Sequence, residues 1–286
     1  MISTILTLIP LIGTIQRPPA PVEKTSCPSS VTIPMLPGAN RAPIIEIKIA
    51  GKPYRFALDT GTVGGGRISP AILVKLGLKP IGKVLAGDPS GKGSREVSLY
   101  KIPELTAGSA HFYGVPMFAD AGPAGTPEYV DGVLGFGVFK DLLLTFDYPA
   151  RQITFKRGSL PSSALTYGLD HGVPTLPIEI GKVKIKGHID SGSDGGIMVP
   201  MKFKNQLPLA GEPKVIGRAR TNFNTIEIFG AKVKGPITVG GMAANVPMIE
   251  MHDMFPFGNI GAMFLQLFKV SIDQKNKRIS FEKPKK

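Results

Sequence analysis

The chain has 286 residues, long enough for two domains of ordinary size, each with its own core. Its composition, 42% hydrophobic and 19% charged, is that of a soluble globular protein, and 35 Gly with 27 Pro favour many short strands over long helices, hence an all-β fold. The formal net charge of +13 raises nucleic-acid binding, but the basic residues are scattered without a basic helix, zinc spacing or nucleic-acid motif, which leaves no nucleic-acid partner expected.

Cys27 is the only cysteine, so an intramolecular disulfide, a cysteine-nucleophile triad and a Cys-based metal site lack partners. Met1 to Ile15 is apolar but too short and Pro-interrupted for a spanning helix, so no transmembrane segment is expected. It reads as the core of an export signal, which implies a periplasmic or secreted protein, although a basic leader and an Ala-x-Ala cleavage site are missing. Pro18 to Asn40, rich in Pro and Ser, reads as disordered, which makes 1–40 a signal segment and lead-in.

From Arg41 the pattern changes. Ile45, Ile47 and Ile49 alternate with Glu46 and Lys48, a half-buried strand; Gly51-Lys52-Pro53 turns it, and Tyr54 to Leu58 returns to deliver Asp59. Ser69 as N-cap, Pro70 at the first position and Gly77 beyond the end predict a short helix. Strands over 83–86 and 95–100 flank a loop of turn formers that includes Gly87, Asp88, Ser90 and Gly91. Leu105 to Phe118 supplies a strand pair, and Val133-Leu134-Gly135 leads through a helical turn into a hairpin from Leu144 to Phe155. The first half is thus 41–157, followed by a Ser/Pro-rich linker over 158–173. In the second half, 174–286, a hairpin from Thr175 to Ile189 delivers Asp190, Met198 to Leu207 takes the helix position, and strands over 215–220 and 226–229 flank a loop with Phe223 at its tip.

The two halves repeat one another. Phe56-Ala57-Leu58-Asp59-Thr60-Gly61-Thr62 is echoed by Gly187-His188-Ile189-Asp190-Ser191-Gly192-Ser193, and the preceding strands share the same offset of 131. Val133-Leu134-Gly135, Leu144-Thr145-Phe146-Asp147 and Ile153-Thr154-Phe155 recur as Asn259-Ile260-Gly261, Val270-Ser271-Ile272-Asp273 and Ile279-Ser280-Phe281 at an offset of 126. One Asp-(Ser/Thr)-Gly occurs by chance in roughly a tenth to a fifth of chains this long, so the weight rests on ordered matching blocks, the pattern of a duplicated unit.

From Arg41 to Lys283 the chain resembles pepsin/retropepsin-type aspartic proteases, in particular the bacterial single-chain forms with both lobes in one polypeptide. The resemblance implies a bilobal acid-protease fold in which Asp59 and Asp190 form the catalytic pair. Thr60 and Ser191 would bond across the lobe junction, Gly61 and Gly192 turn the loops, and the Thr62 and Ser193 hydroxyls donate to the outer carboxylate oxygens. Val133, Leu134, Gly135, Ile260 and Gly261 would support the loops from behind. The 87–94 loop would be a flap over substrate or, on its residues alone, an ordinary exposed loop; Phe223 would face substrate or pack on its lobe.

The chemistry fits the residue types. Hydrolysis without a covalent intermediate needs a base for water and an acid for the carbonyl oxygen and leaving nitrogen, and two carboxyls sharing one proton supply both. Hydroxyl donors on both carboxylates lead to an expected acid-leaning optimum. His188, in place of Ala57, either reaches the surface or perturbs Asp190, and Asp194 reads as structural; with His188 and Asp190 it does not converge on a metal. The expected function is therefore aspartic endopeptidase action on an extended peptide or protein, with no cofactor, by a monomer; the alternative is a catalytically silent peptide-binding protein on the same fold.

Overall fold

The computed structural model describes residues 22–38, 41–87, 94–120, 130–220, 225–244, 246–253 and 255–284. These are mostly strands, in sheets of eight, six and ten, with short helices at Pro70–Lys75 and Ala262–Leu265 and single 3-10 turns at Phe136–Phe139 and Met201–Gln206. The all-β expectation is met. Among the described residues no helix is long and apolar enough to cross a membrane.

The eight-stranded sheet is built from the first half and the ten-stranded sheet from the second. Each contains a hairpin whose return strand carries an aspartate, and each return strand lies parallel to a short Gly-ended strand. Lys52–Asp59 runs beside Gly132–Gly135, with Asp59 level with Gly135; Val183–Asp190 runs beside Gly258–Gly261, with Asp190 level with Gly261. Alternation decides what is buried: Ile45, Ile47 and Ile49 are buried while Glu46 and Lys48 are exposed.

The six-stranded sheet joins the halves. Its central pairing sets Leu143–Asp147 antiparallel to Lys269–Asp273, so that Thr145 faces Ser271 with their hydroxyl oxygens 2.8 Å apart. Above its first-half side, the Phe139 and Phe155 rings stack at 5.4 Å, and Phe112 meets both edge-on at 5.6 and 6.0 Å.

Several expectations are corrected. The lead-in is not disordered throughout: Lys24–Ser26 pairs with Ala110–Ala119, and Ser30–Pro34 forms the outer strand of the shared sheet against Gln152–Lys156. The Pro and Ser count outweighed a β-branched run, Val31-Thr32-Ile33, in which Val31 is buried; Pro34 is tolerated because it ends an edge strand. The interlobe segment likewise contains two short strands, Leu165–Thr166 and Gly168–Asp170, around a buried Tyr167. Met198 to Leu207 is a strand, Ile197–Pro200, followed by a 3-10 turn, because Val199 and Pro200 favour extended backbone. Ser69 occupies the N-cap position but its side chain makes no capping bond.

Phe155 is fully buried in this aromatic cluster. Phe155→Ala is expected to cost about 3–5 kcal/mol through the cavity it leaves, read as a lowered urea midpoint with an unchanged m-value.

Candidate active site

The two Asp-hydroxyl-Gly turns meet at the junction of the halves. In each, a main-chain bond closes the turn: Thr62 N–H to Asp59 O and Ser193 N–H to Asp190 O, both 3.3 Å. The following backbone is tied to the parallel strand behind it. Phe136 N–H donates to Thr62 O at 2.9 Å and Ala262 N–H to Ser193 O at 2.7 Å, while Gly135 and Gly261 donate to Gly65 and Gly196. A Cβ on Gly135 would stand 2.7 Å from Gly64 O and one on Gly261 2.3 Å from Gly195 O, so only glycine lets each supporting strand approach its loop.

Thr60 and Ser191 form a closed set of hydrogen bonds across the junction. The Thr60 hydroxyl donates to Ile189 O at 2.6 Å and accepts from Ser191 N–H at 3.0 Å; the Ser191 hydroxyl donates to Leu58 O at 2.8 Å and accepts from Thr60 N–H at 3.1 Å. Both residues are almost completely buried, so each bond is made in a dry setting where losing a partner is expensive.

This arrangement brings the carboxylates together. A Cβ on Gly61 would lie 2.7 Å from Asp190 Cγ, and one on Gly192 would lie 2.5 Å from Asp59 Cγ, so each carboxylate packs on the glycine of the opposite turn. Burial, and then the neighbouring Asp59 charge, push the Asp190 carboxyl well above the usual carboxylate range, while Asn259 and the Gly192 N–H pull the other way.

The donors around the pair are unequal. Asp59 accepts from Gly61 N–H at 2.7 Å and from the Thr62 hydroxyl at 2.6 Å, as expected. Asp190 accepts on one oxygen from the Gly192 and Ser193 N–H groups, each at 3.0 Å, and on the other from Asn259 Nδ2 at 3.0 Å. Ser193 therefore contributes its main-chain N–H, and an amide on the adjacent parallel strand, Gly258–Gly261, takes the place expected of its hydroxyl. Asn259 was the residue missed; its only signal was a polar side chain where Val133 stands in the first half.

The surroundings differ in the same way. Beside Asp59, Ala42, Ala57 and Val133 form a small apolar cluster with Val130. At the corresponding place His188 is buried, stacked on Phe257 at 3.7 Å with Nε2 3.1 Å from Asp170 Oδ2; burial lowers its basicity and Asp170 opposes this. It neither reaches the surface nor joins the pair. Asp194 accepts the Arg41 N–H at 2.5 Å, a latch between the halves, whereas its counterpart Val63 lies against Gly172. His188, Asp190 and Asp194 thus turn to three different partners.

Around the 87–94 loop, Gly82–Gly87 and Ser94–Ala107 pair as the strands of a hairpin, and Arg95 is paired with the buried Asp120 at 2.5 Å. Gly87 ends the first strand, while Asp88, Ser90 and Gly91 lie outside the described residues, as does Phe223 at the tip between Lys214–Arg220 and Thr225–Ala231.

Residues 45–138 match a family model described as aspartyl protease, a span that includes Asp59 and the Val133-Leu134-Gly135 support. No curated protein matches the chain.

Thr60→Val and Ser191→Ala should each lose about 1–3 kcal/mol in urea titrations, and the double variant should lose less than the sum, with a coupling of about 0.5–3 kcal/mol, because both remove the same closed set. A second expectation concerns pH. Because the Asp190 carboxyl holds its proton more tightly folded than unfolded, its stabilising contribution is complete below the ordinary carboxylate range and is lost as pH rises toward the raised value. Asp190→Asn carries no such loss, so its melting temperature should gain on the wild type's as pH rises from acid to neutral, and the gain should vanish on acidification.

Proposed function

We propose that this chain, whose residues 45–138 match the aspartyl protease family model, is an aspartic endopeptidase in which Asp59 and Asp190 act as one catalytic unit. The observation that carries the reading is the mutual packing of the two carboxylates on the opposite glycines. Two buried like charges in contact do not both ionise, so the pair holds one proton over a wide pH range.

In that state the pair is base and acid together. The ionised carboxylate takes a proton from a water held between the two; the oxygen of that water attacks the scissile carbonyl while the protonated carboxyl gives its proton to the carbonyl oxygen. As the tetrahedral species collapses, the ionised carboxylate takes a proton from one of its hydroxyls, the protonated carboxyl gives its proton to the departing nitrogen and the C–N bond breaks, which leaves the pair with one shared proton. No covalent enzyme intermediate and no cofactor is required. The substrate is an extended peptide, held by main-chain pairing beneath the Gly82–Ala107 hairpin, and one chain supplies both aspartates, so a monomer suffices. The apolar stretch Met1 to Ile15 supports export as the route to such substrates.

The raised affinity of Asp190 for its proton moves the expected optimum. Among the described residues Thr62 alone donates a hydroxyl to the pair, and burial with like charge outweighs the donors on Asp190, so the active one-proton form extends from acid toward neutral pH. In an assay of denatured-protein cleavage from acid to neutral pH, Asp59→Asn and Asp190→Asn should each lose about 100-fold or more of the wild-type rate. An inert wild type, or single variants that cleave as well as it does, would replace this reading with that of a peptide-binding groove.

A further inference from the structure

We propose that Asn259 is a positioning residue for Asp190, doing for the second carboxylate what the Thr62 hydroxyl does for the first, and that it sets the pH range over which the pair functions. This rests on the dyad reading above and adds to it an assignment of which group tunes which aspartate.

A carboxylate only accepts, so the Asn259 amide must turn its NH2 group toward Asp190, at 3.0 Å. That choice leaves Asn259 Oδ1 buried with no hydrogen-bond partner. An orphaned buried carbonyl is a cost that the apolar Val133, at the equivalent point of the first half, does not incur. The strand backbone does not ask for Asn: Gly258–Gly261 pairs in parallel register with Val183–Asp190 just as Gly132–Gly135 pairs with Lys52–Asp59. What Asn supplies and Val cannot is a donor.

The groups around Asp190 leave that donor without a substitute. On one oxygen the carboxylate receives the Gly192 and Ser193 N–H groups; on the other, among the described residues, it receives Asn259 Nδ2. Asp59 faces it across the junction. Tyr148, from the turn after Leu143–Asp147, brings a fully buried hydroxyl whose ionisation is suppressed by burial and by Asp190's charge. His188, two residues back on the same strand, is engaged with Asp170, and Glu250 stands beside Gly195. His188 is the basic group among these, its basicity lowered by burial and its Nε2 turned to Asp170, so the amide of Asn259 is the side-chain donor placed on Asp190 to favour its ionised form. Unlike a hydroxyl, the NH2 group cannot reverse to accept a proton from the carboxyl. It therefore holds its oxygen of Asp190 as an acceptor and keeps the shared proton toward Asp59 and the substrate.

The test compares Asn259→Val with Asn259→Thr, side chains of one shape that differ by a hydroxyl donor, with Asn259→Ala as a second donorless variant should Val fold poorly. Rate against pH is measured for each. Loss of the donor should move both limbs of the bell upward by about one pH unit, and Thr should recover part of that shift. Superimposable profiles for wild type, Val, Ala and Thr would overturn the proposal, whatever the change in absolute rate. Should the wild type cleave nothing, the protease reading fails separately, and the 13C titration of the Asp190 side chain decides: an upward move in Asn259→Val or Asn259→Ala upholds the positioning role, and an unchanged titration refutes it.

Discussion

Four hydrogen bonds made by Thr60 and Ser191 tie the two halves of this protein at the point where its aspartates meet, two of them between the residues themselves. Because the other two run from each hydroxyl to the carbonyl of the strand opposite, Ile189 or Leu58, the bonds set the relative position of two backbones as well as of two side chains. Everything near them follows from that closeness. The next residue in each turn must be glycine, since a Cβ would run into the opposing carboxylate. The carboxylates must share a small dry volume, which is unfavourable for two negative charges and is relieved by retaining a proton. A group that functions by holding its proton against the solvent is also one that lowers stability at neutral pH, and the six-stranded sheet shared by both halves, centred on Thr145 and Ser271, holds the arrangement from below.

On nearly the same backbone, the two sides offer different chemistry. Ala42, Ala57 and Val133 give Asp59 an apolar flank and leave Thr62 as its side-chain donor. His188, Phe257 and Asn259 give Asp190 an aromatic and amide flank. The latches differ too, van der Waals contact between Val63 and Gly172 on one side and a hydrogen bond from Arg41 to Asp194 on the other. Asp59 and Asp190 therefore stand in unlike surroundings.

Much of this was legible from residue order. Asp59, Thr60 and Gly61 with their echo at Asp190, Ser191 and Gly192 carry local chemistry, a turn that needs a small residue and a hydroxyl, and local chemistry survives in sequence. So does the alternation of Ile45, Ile47 and Ile49, because the period of a strand is a property of the strand alone. The strand in the lead-in is not legible from local sequence because the partners of Ser30–Pro34 lie more than a hundred residues away, in Gln152–Lys156. Analogy with Thr62 predicts a hydroxyl bond from Ser193, which makes a main-chain bond instead, since Asn259 reaches the other oxygen of Asp190.

By itself, then, the order of residues determined the strand-rich architecture, the paired motifs and the identity of the two carboxylates, all of which depend on spacings of a few residues or on a repeat at constant offset. Tertiary structure alone decided that Asn259 rather than Ser193 supplies the outer donor to Asp190, and that His188 turns to Asp170. Those outcomes hang on differences of an ångström in how two sheets approach each other. A hydrogen bond is lost over such a distance, and no spacing along the chain encodes it.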